Sequence, residues 1–279
     1  MKYINIILVI ISIFYAPLTN ANHLKGKSDS QALGMHKFRS NVLVNRFQTE
    51  IIPPAKKPEM IKDTSKPNSV IRNIIDQSDL LSVLFYDGNS ITVNELSTTK
   101  LEPLKKMYSM SISKSYIGYL LGHAICDGFI KTLDDSIGQY VPETSGTIYE
   151  EVSLQNMINM TAGDGDHWER GSNNMFVYAT PILRGKKTIK DLLEESRGVS
   201  LDEKPSFYYS NIVPDLVARA VHLKSPAGMK DYFYKKIAKT SGNSSKIIYL
   251  KDKNDWGIHF AFYYATRGDY LKFAKLIAQ

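Results

Sequence analysis

The sequence holds a single cysteine, Cys126, so no disulfide can form within the chain. Its apolar surroundings read it as a small buried hydrophobe, not a ligand. Six histidines (His23, His36, His123, His167, His222 and His259) fall in no metal-ligand spacing. Past residue 21 no apolar run is long enough to span a bilayer. No internal repeat is visible, and no stacking-plus-basic motif accompanies the formal net charge of +7. These absences argue against a disulfide scaffold, a zinc module, a repeat array, a multi-span membrane protein and a nucleic-acid binder. What remains is 279 residues with 43% hydrophobic content, enough for a real core.

The charge is unevenly placed. Residues 22–70 carry nine Lys/Arg against four Asp/Glu, whereas residues 71–279 are nearly balanced. The stretch 22–70 contains "IIPPAKKPEM" and "DTSKPNS", a composition that favours extended chain, and it reads as a basic linker. The alternative for this linker is weak attraction to an anionic cell-envelope surface. Residues 1–21 read as a secretory signal: Lys2, then the apolar "INIILVIISIFYAPL", then small residues at Thr19 and Ala21. The expected location is therefore secreted or periplasmic, with an N-terminal membrane anchor as the alternative. The domain is expected over 71–279.

Within it, "LLSVLFYDGNSITVNELS" (80–97) alternates on both sides of Asp-Gly-Asn and predicts a β-hairpin. "SISKSYIGYLLGHAICDG" has apolar residues at helical spacing around much of its circumference and predicts a buried helix ended by Gly128. "SLQNMINMTAG" predicts a short capped helix, and "DGDHWERGSNN" a solvated polar loop. Asp164, Asp166, His167 and Glu169 crowd that loop without ligand spacing. Trp168 either lines an entrance or covers the core. Helices are expected for "IKDLLEES", "SNIVPDLVARAVHLK", "MKDYFYKKIAKT" and "RGDYLKFAKLIAQ", and a strand for "GIHFAFYYA". Strands early and late, with helices between, indicate an α+β fold: an antiparallel sheet flanked by helices, with a mainly helical subdomain.

Chemistry concentrates in "MYSMSISKSY" (107–116). Ser-x-x-Lys is a weak motif and occurs twice, at Ser97–Lys100 and Ser111–Lys114. The first follows the hairpin and reads as a solvated turn. The second opens a helix, where free N–H groups and the dipole favour negative charge on Ser111. Lys114 returns to the same face one turn on. Ser109, Ser113 and Ser115 lack a lysine at that offset and read as local hydrogen-bonders. A lysine with an ordinary pKa of about 10.4 costs about 4–5 kcal/mol to hold neutral at pH 7, and burial works in that direction. "FYYSN" (207–211) adds Tyr209 and Asn211, a phenol to relay a proton and an amide to hold the lysine.

Together, "YSMSISKSYIGYLLGHAICDGFIKTLDDSIGQYVPE", "SLQNMINMTAG" and "FYYSNIVPDLVARAV" resemble the serine β-lactamase-related superfamily, from about residue 80 to 279. The resemblance is to its class C-like branch and the esterase and 6-aminohexanoate-dimer hydrolase relatives. It implies a β-lactamase/penicillin-binding-protein fold and a serine hydrolase needing no metal or organic cofactor. It further implies Ser111 as acylated nucleophile, Lys114 as general base, Tyr209 as proton relay and Asn211 as support for lysine and substrate. The substrate would be a small or peptide-like ester or amide. The superfamily's third block, Lys-Thr-Gly or His-x-Gly, is not found after Tyr209, and losing an oxyanion donor costs about 3–4 kcal/mol. The expectation is a domain incomplete at its C-terminus, its last strands missing. A non-catalytic relative that binds peptidoglycan or peptide is the rival reading.

Overall fold

The computed structural model describes residues 47–78, 80–97, 106–169, 175–202 and 205–278. The expected signal, most of the basic linker, and Lys100 lie outside the described residues. Strand β1 (Gln48–Ile52) precedes helix α1 (Ser69–Asp76). The hairpin is β2 (Ser82–Tyr86) and β3 (Ile91–Leu96), and the short β4 (Met107–Tyr108) enters α2 (Ile112–Cys126). Helices α3 (Leu154–Ile158), α4 (Gly165–Glu169), α5 (Met175–Leu183) and α6 (Ile189–Glu194) follow. Then come α7 (Ile212–Lys224), α8 (Gly228–Phe233) with a π turn at Tyr234–Ala238, β5 (Ile247–Lys251), β6 (Tyr263–Ala265) and α9 (Arg267–Ile277). Among the described residues no helix is long and apolar enough to cross a membrane.

The expected α+β architecture is present. Its sheet is antiparallel in the order β1-β5-β6-β4, while the hairpin forms a separate two-stranded sheet. Ile52 faces Ile247 and Gln48 faces Lys251 across β1–β5, and Tyr108 faces Tyr264 across β4–β6. The domain therefore begins before residue 71, which corrects the linker boundary. Ile52 is fully buried, and Ala55 N–H donates to the Asn243 carbonyl at 3.0 Å. Pro53 and Pro54 stand just past the strand, where no ladder donor is needed. The linker-like composition hides one short edge strand.

Helix α2 is buried on one face only. Tyr116, Ile117, Leu120, Leu121 and Ala124 point inward, while Ser115, Gly118, Gly122 and Cys126 form an exposed stripe. Cys126 is exposed, not buried, because it falls on the small-residue side of the helix. The inward face anchors an aromatic cluster. The Tyr116 ring lies 5.1 Å from Phe233, 5.2 Å from Tyr263 and 4.2 Å from Phe273. This cluster fixes α2 against the sheet and the last helix, so the residues at its N-terminus have a rigid base.

Candidate active site

The strand-to-helix turn sets up the site. Met110 holds a positive φ of 47°, a conformation that costs a non-glycine residue energy and marks strain at functional turns. Ser109 ties the turn to the sheet. Its N–H donates to the Tyr263 carbonyl at 2.6 Å, and its hydroxyl donates to the Ala261 carbonyl and accepts from Tyr263 N–H. Ser113 is buried and donates to the Met110 carbonyl, while Ser115 is exposed. The Ser109 and Ser113 hydroxyls thus serve the frame. Ser111 is the exposed one at the mouth of α2, and its side chain makes no cap bond. The other Ser-x-x-Lys serine, Ser97, is buried instead of solvated, because its N–H closes the hairpin on the Leu81 carbonyl.

Lys114 meets three oxygens. Its Nζ lies 3.4 Å from Ser111 Oγ, 3.0 Å from Asn211 Oδ1 and 2.8 Å from the Phe260 carbonyl oxygen. Burial pushes the amine down to about 8, against a smaller opposing pull from Asp215. Two of the three oxygens are carbonyls that can only accept, so they take two N–H bonds. In the neutral amine the remaining position is a lone pair facing the Ser111 hydroxyl. That is the geometry a base needs.

The Tyr209 ring covers the Lys114 amine, 4.8 Å from its centroid, and the side chain stays 46% exposed. The contact between the two side chains is made through the ring face, which shields the amine from water. Asn211 occupies the position before α7, and Pro214 is tolerated in that helix's first turn. The "FYYSN" segment is held by the block around α3. Tyr208 N–H donates to the Met160 carbonyl at 2.8 Å, and Ser210 Oγ donates to Asp164 at 2.7 Å.

Asp164 corrects the solvated-loop expectation. It is fully buried, accepts from Tyr149 as well as Ser210, and burial pushes its carboxyl up. Trp168 is also buried and donates to the Tyr149 hydroxyl at 2.6 Å, so it covers the core. Residues 165–169 are helical, not loop, since this network gives them a surface to pack on. Among the described residues no three His, Cys, Asp or Glu gather closely enough to hold a metal.

Sequence reasoning missed Asp215. It sits one turn after Asn211 on α7, buried in a helix that is otherwise largely apolar on that face. Its Oδ1 accepts from His259 N–H at 2.6 Å and Phe260 N–H at 3.1 Å, and its Oδ2 accepts from the Tyr178 hydroxyl at 2.7 Å. Burial pushes this carboxyl up to about 7. An acidic residue in an apolar first turn, four after Asn211, was the available signal. The expected strand "GIHFAFYYA" shortens to β6 for the same reason. Backbone groups at 259 and 260 are spent on Asp215 and Lys114, not on a ladder.

No protein-family model and no curated protein matches the sequence. Solved structures match the fold. A Bacillus anthracis protein titled a 6-aminohexanoate-dimer hydrolase superimposes with a TM-score of 0.71 at 13% identity, covering 91% of this chain and 72% of that one. A penicillin-binding protein from Bacillus halodurans gives 0.57 at 14%, covering 72% and 71%. A β-lactamase-titled protein from Bacteroides dorei gives 0.56 at 16%, covering 75% and 61%. The chain has the β-lactamase/penicillin-binding-protein fold, as the resemblance implies.

Proposed function

We propose that this chain is a serine hydrolase that cleaves an ester or amide through an acyl-enzyme on Ser111. The observation that carries the reading is the placement of the Lys114 amine, 3.4 Å from Ser111 Oγ and fixed by two carbonyl acceptors. Neutral Lys114 takes the Ser111 proton as Oγ bonds to the substrate carbonyl carbon. The lysine proton then passes to the departing alcohol or amine, with the Tyr209 hydroxyl as relay, as the carbon–heteroatom bond breaks. Water, deprotonated at the same amine, attacks the acyl carbon; the bond from that carbon to Oγ breaks, the lysine proton returns to Ser111 Oγ, and an acid is released. Asn211 holds the lysine and would also support the substrate. The Ser111 N–H, at the open end of α2, would serve as one oxyanion donor. Secretion or periplasmic export, through residues 1–21, is part of the same proposal.

The neighbours named as hydrolase and β-lactamase lend support through fold, and the buried amine lends support through chemistry. A fluorophosphonate serine probe followed by peptide mass spectrometry tests the reading. Label on Ser111, absent in Ser111→Ala, is expected. A folded protein that takes no covalent label at any pH, yet binds peptidoglycan fragments unchanged by Ser111→Ala, would sink it in favour of the binding role.

A further inference from the structure

We infer that Asp215 is the positioning residue of this site: by gripping the 259–260 backbone it aims the Phe260 carbonyl at Lys114 and so sets where the amine stands against Ser111. The inference rests on the hydrolase reading above. Asp215 is 1% exposed, and its three hydrogen-bond donors are all uncharged: two backbone N–H groups and the Tyr178 hydroxyl. A carboxylate buried with no cation among its hydrogen-bond donors is costly, and an apolar residue there would be cheaper. The cost is matched by a placement that an apolar residue could not give. Both N–H groups of the turn carrying the Phe260 carbonyl end on one oxygen of Asp215. Asn211 and Asp215 lie one turn apart on α7. One helix therefore governs both fixed acceptors of Lys114, Asn211 directly and Asp215 through the backbone at 259 and 260.

A rival role for Asp215 is purely electrostatic, its negative charge favouring protonated Lys114. The two roles predict shifts of opposite sign. Competitive acetylation of the Lys114 amine between about pH 6 and 11, read by peptide mass spectrometry, measures its titration midpoint. Fluorophosphonate labelling of Ser111 is followed in parallel. The wild-type midpoint is expected at about 8. Asp215→Asn keeps the acceptor oxygen and loses the charge, so its midpoint should stay or fall, with Ser111 labelling within about threefold of wild type. Asp215→Ala leaves two N–H groups without their acceptor and frees the carbonyl. Its midpoint should rise toward the ordinary lysine value of about 10.4, with Ser111 labelling down about 100-fold.

A midpoint that falls in both variants, or does not move in a folded Asp215→Ala, overturns the positioning role. If Asp215→Ala does not fold by circular dichroism, Asp215→Asn decides alone. A raised midpoint, or labelling lost by more than about tenfold, then overturns it, and near-wild-type behaviour supports it. Absence of any Ser111 label in the wild type would count against the hydrolase reading, while the Lys114 midpoints still decide the role of Asp215.

Discussion

The Phe260 carbonyl oxygen stands 2.8 Å from Lys114 Nζ, although 146 residues separate the two in the chain. The contact joins the helix that carries Ser111 to the turn before β6, and it makes the amine a held group instead of a free one. Its loss would return a half-buried lysine to solvent and to its ordinary protonated state.

The first consequence is a pH profile. Labelling of Ser111 should rise with pH through a midpoint of about 8, because only neutral Lys114 can take the serine proton. Lys114→Arg should be as slow as Lys114→Ala, down about 10²–10⁴-fold, since a guanidinium stays protonated throughout. Labelling rates at several pH values check both. A flat profile would remove Lys114 as the base.

Asp215 should also shape stability. Its carboxyl is pushed from 3.8 in the unfolded chain up to about 7 in the folded one, so the folded state binds this proton more tightly. The contribution is full below the unfolded value and is lost as pH rises through about 7. Urea denaturation between about pH 4 and 8 should show this decline in the wild type and a flatter dependence in Asp215→Asn. Equal slopes in the two proteins would contradict the assignment.

The Tyr149–Asp164–Ser210 cluster should matter to both folding and the site. Asp164→Ala strands two buried hydroxyls and should destabilise the domain by about 1–3 kcal/mol. Ser210→Ala should cost about 1 kcal/mol and loosen Asn211, slowing Ser111 labelling by about tenfold. Urea melts alongside labelling rates separate the two effects. Unchanged labelling in Ser210→Ala would show that Asn211 needs no help from Asp164.

Two glycine substitutions should go in opposite directions. A Cβ on Gly257 would meet His259 Nε2 at 2.1 Å. That imidazole is bonded to the Tyr263 hydroxyl at 2.7 Å and packed 5.0 Å from the Tyr249 ring, so it cannot swing aside. Gly257→Ala should cost about 1–3 kcal/mol. Gly122→Ala, on the exposed stripe of α2 with open space around it, should gain about 0.5–1 kcal/mol. Thermal melts compare the pair directly.

Much of this was legible in sequence because it is local. The hairpin alternates at period two around Asp-Gly-Asn, and α2 repeats at helical spacing ahead of Gly128. Ser111 and Lys114 share a helix face at an offset of three, and the structure puts them together. Asn211 joins them at Lys114, and Tyr209 joins them through its ring face. What escaped is non-local. Strand β1 hides in Pro- and Lys-containing surroundings, because its reason for existing is a partner about 195 residues later, Ile247 facing Ile52. Asp164 looked solvated because its neighbours are polar, yet two hydroxyls from distant segments bury it.

The sequence by itself determined which residues could do chemistry. A serine at a helix mouth, a lysine one turn on and a Tyr-x-Asn before a second helix follow from residue type and periodicity, which are properties of short segments. Only the tertiary structure decided the electrostatics. Whether Lys114 sits at about 8, and which carbonyls hold it, depend on burial and on Asp215 gripping the backbone at 259 and 260. Desolvation and hydrogen-bond geometry arise where distant segments meet, and no local window of sequence contains that meeting.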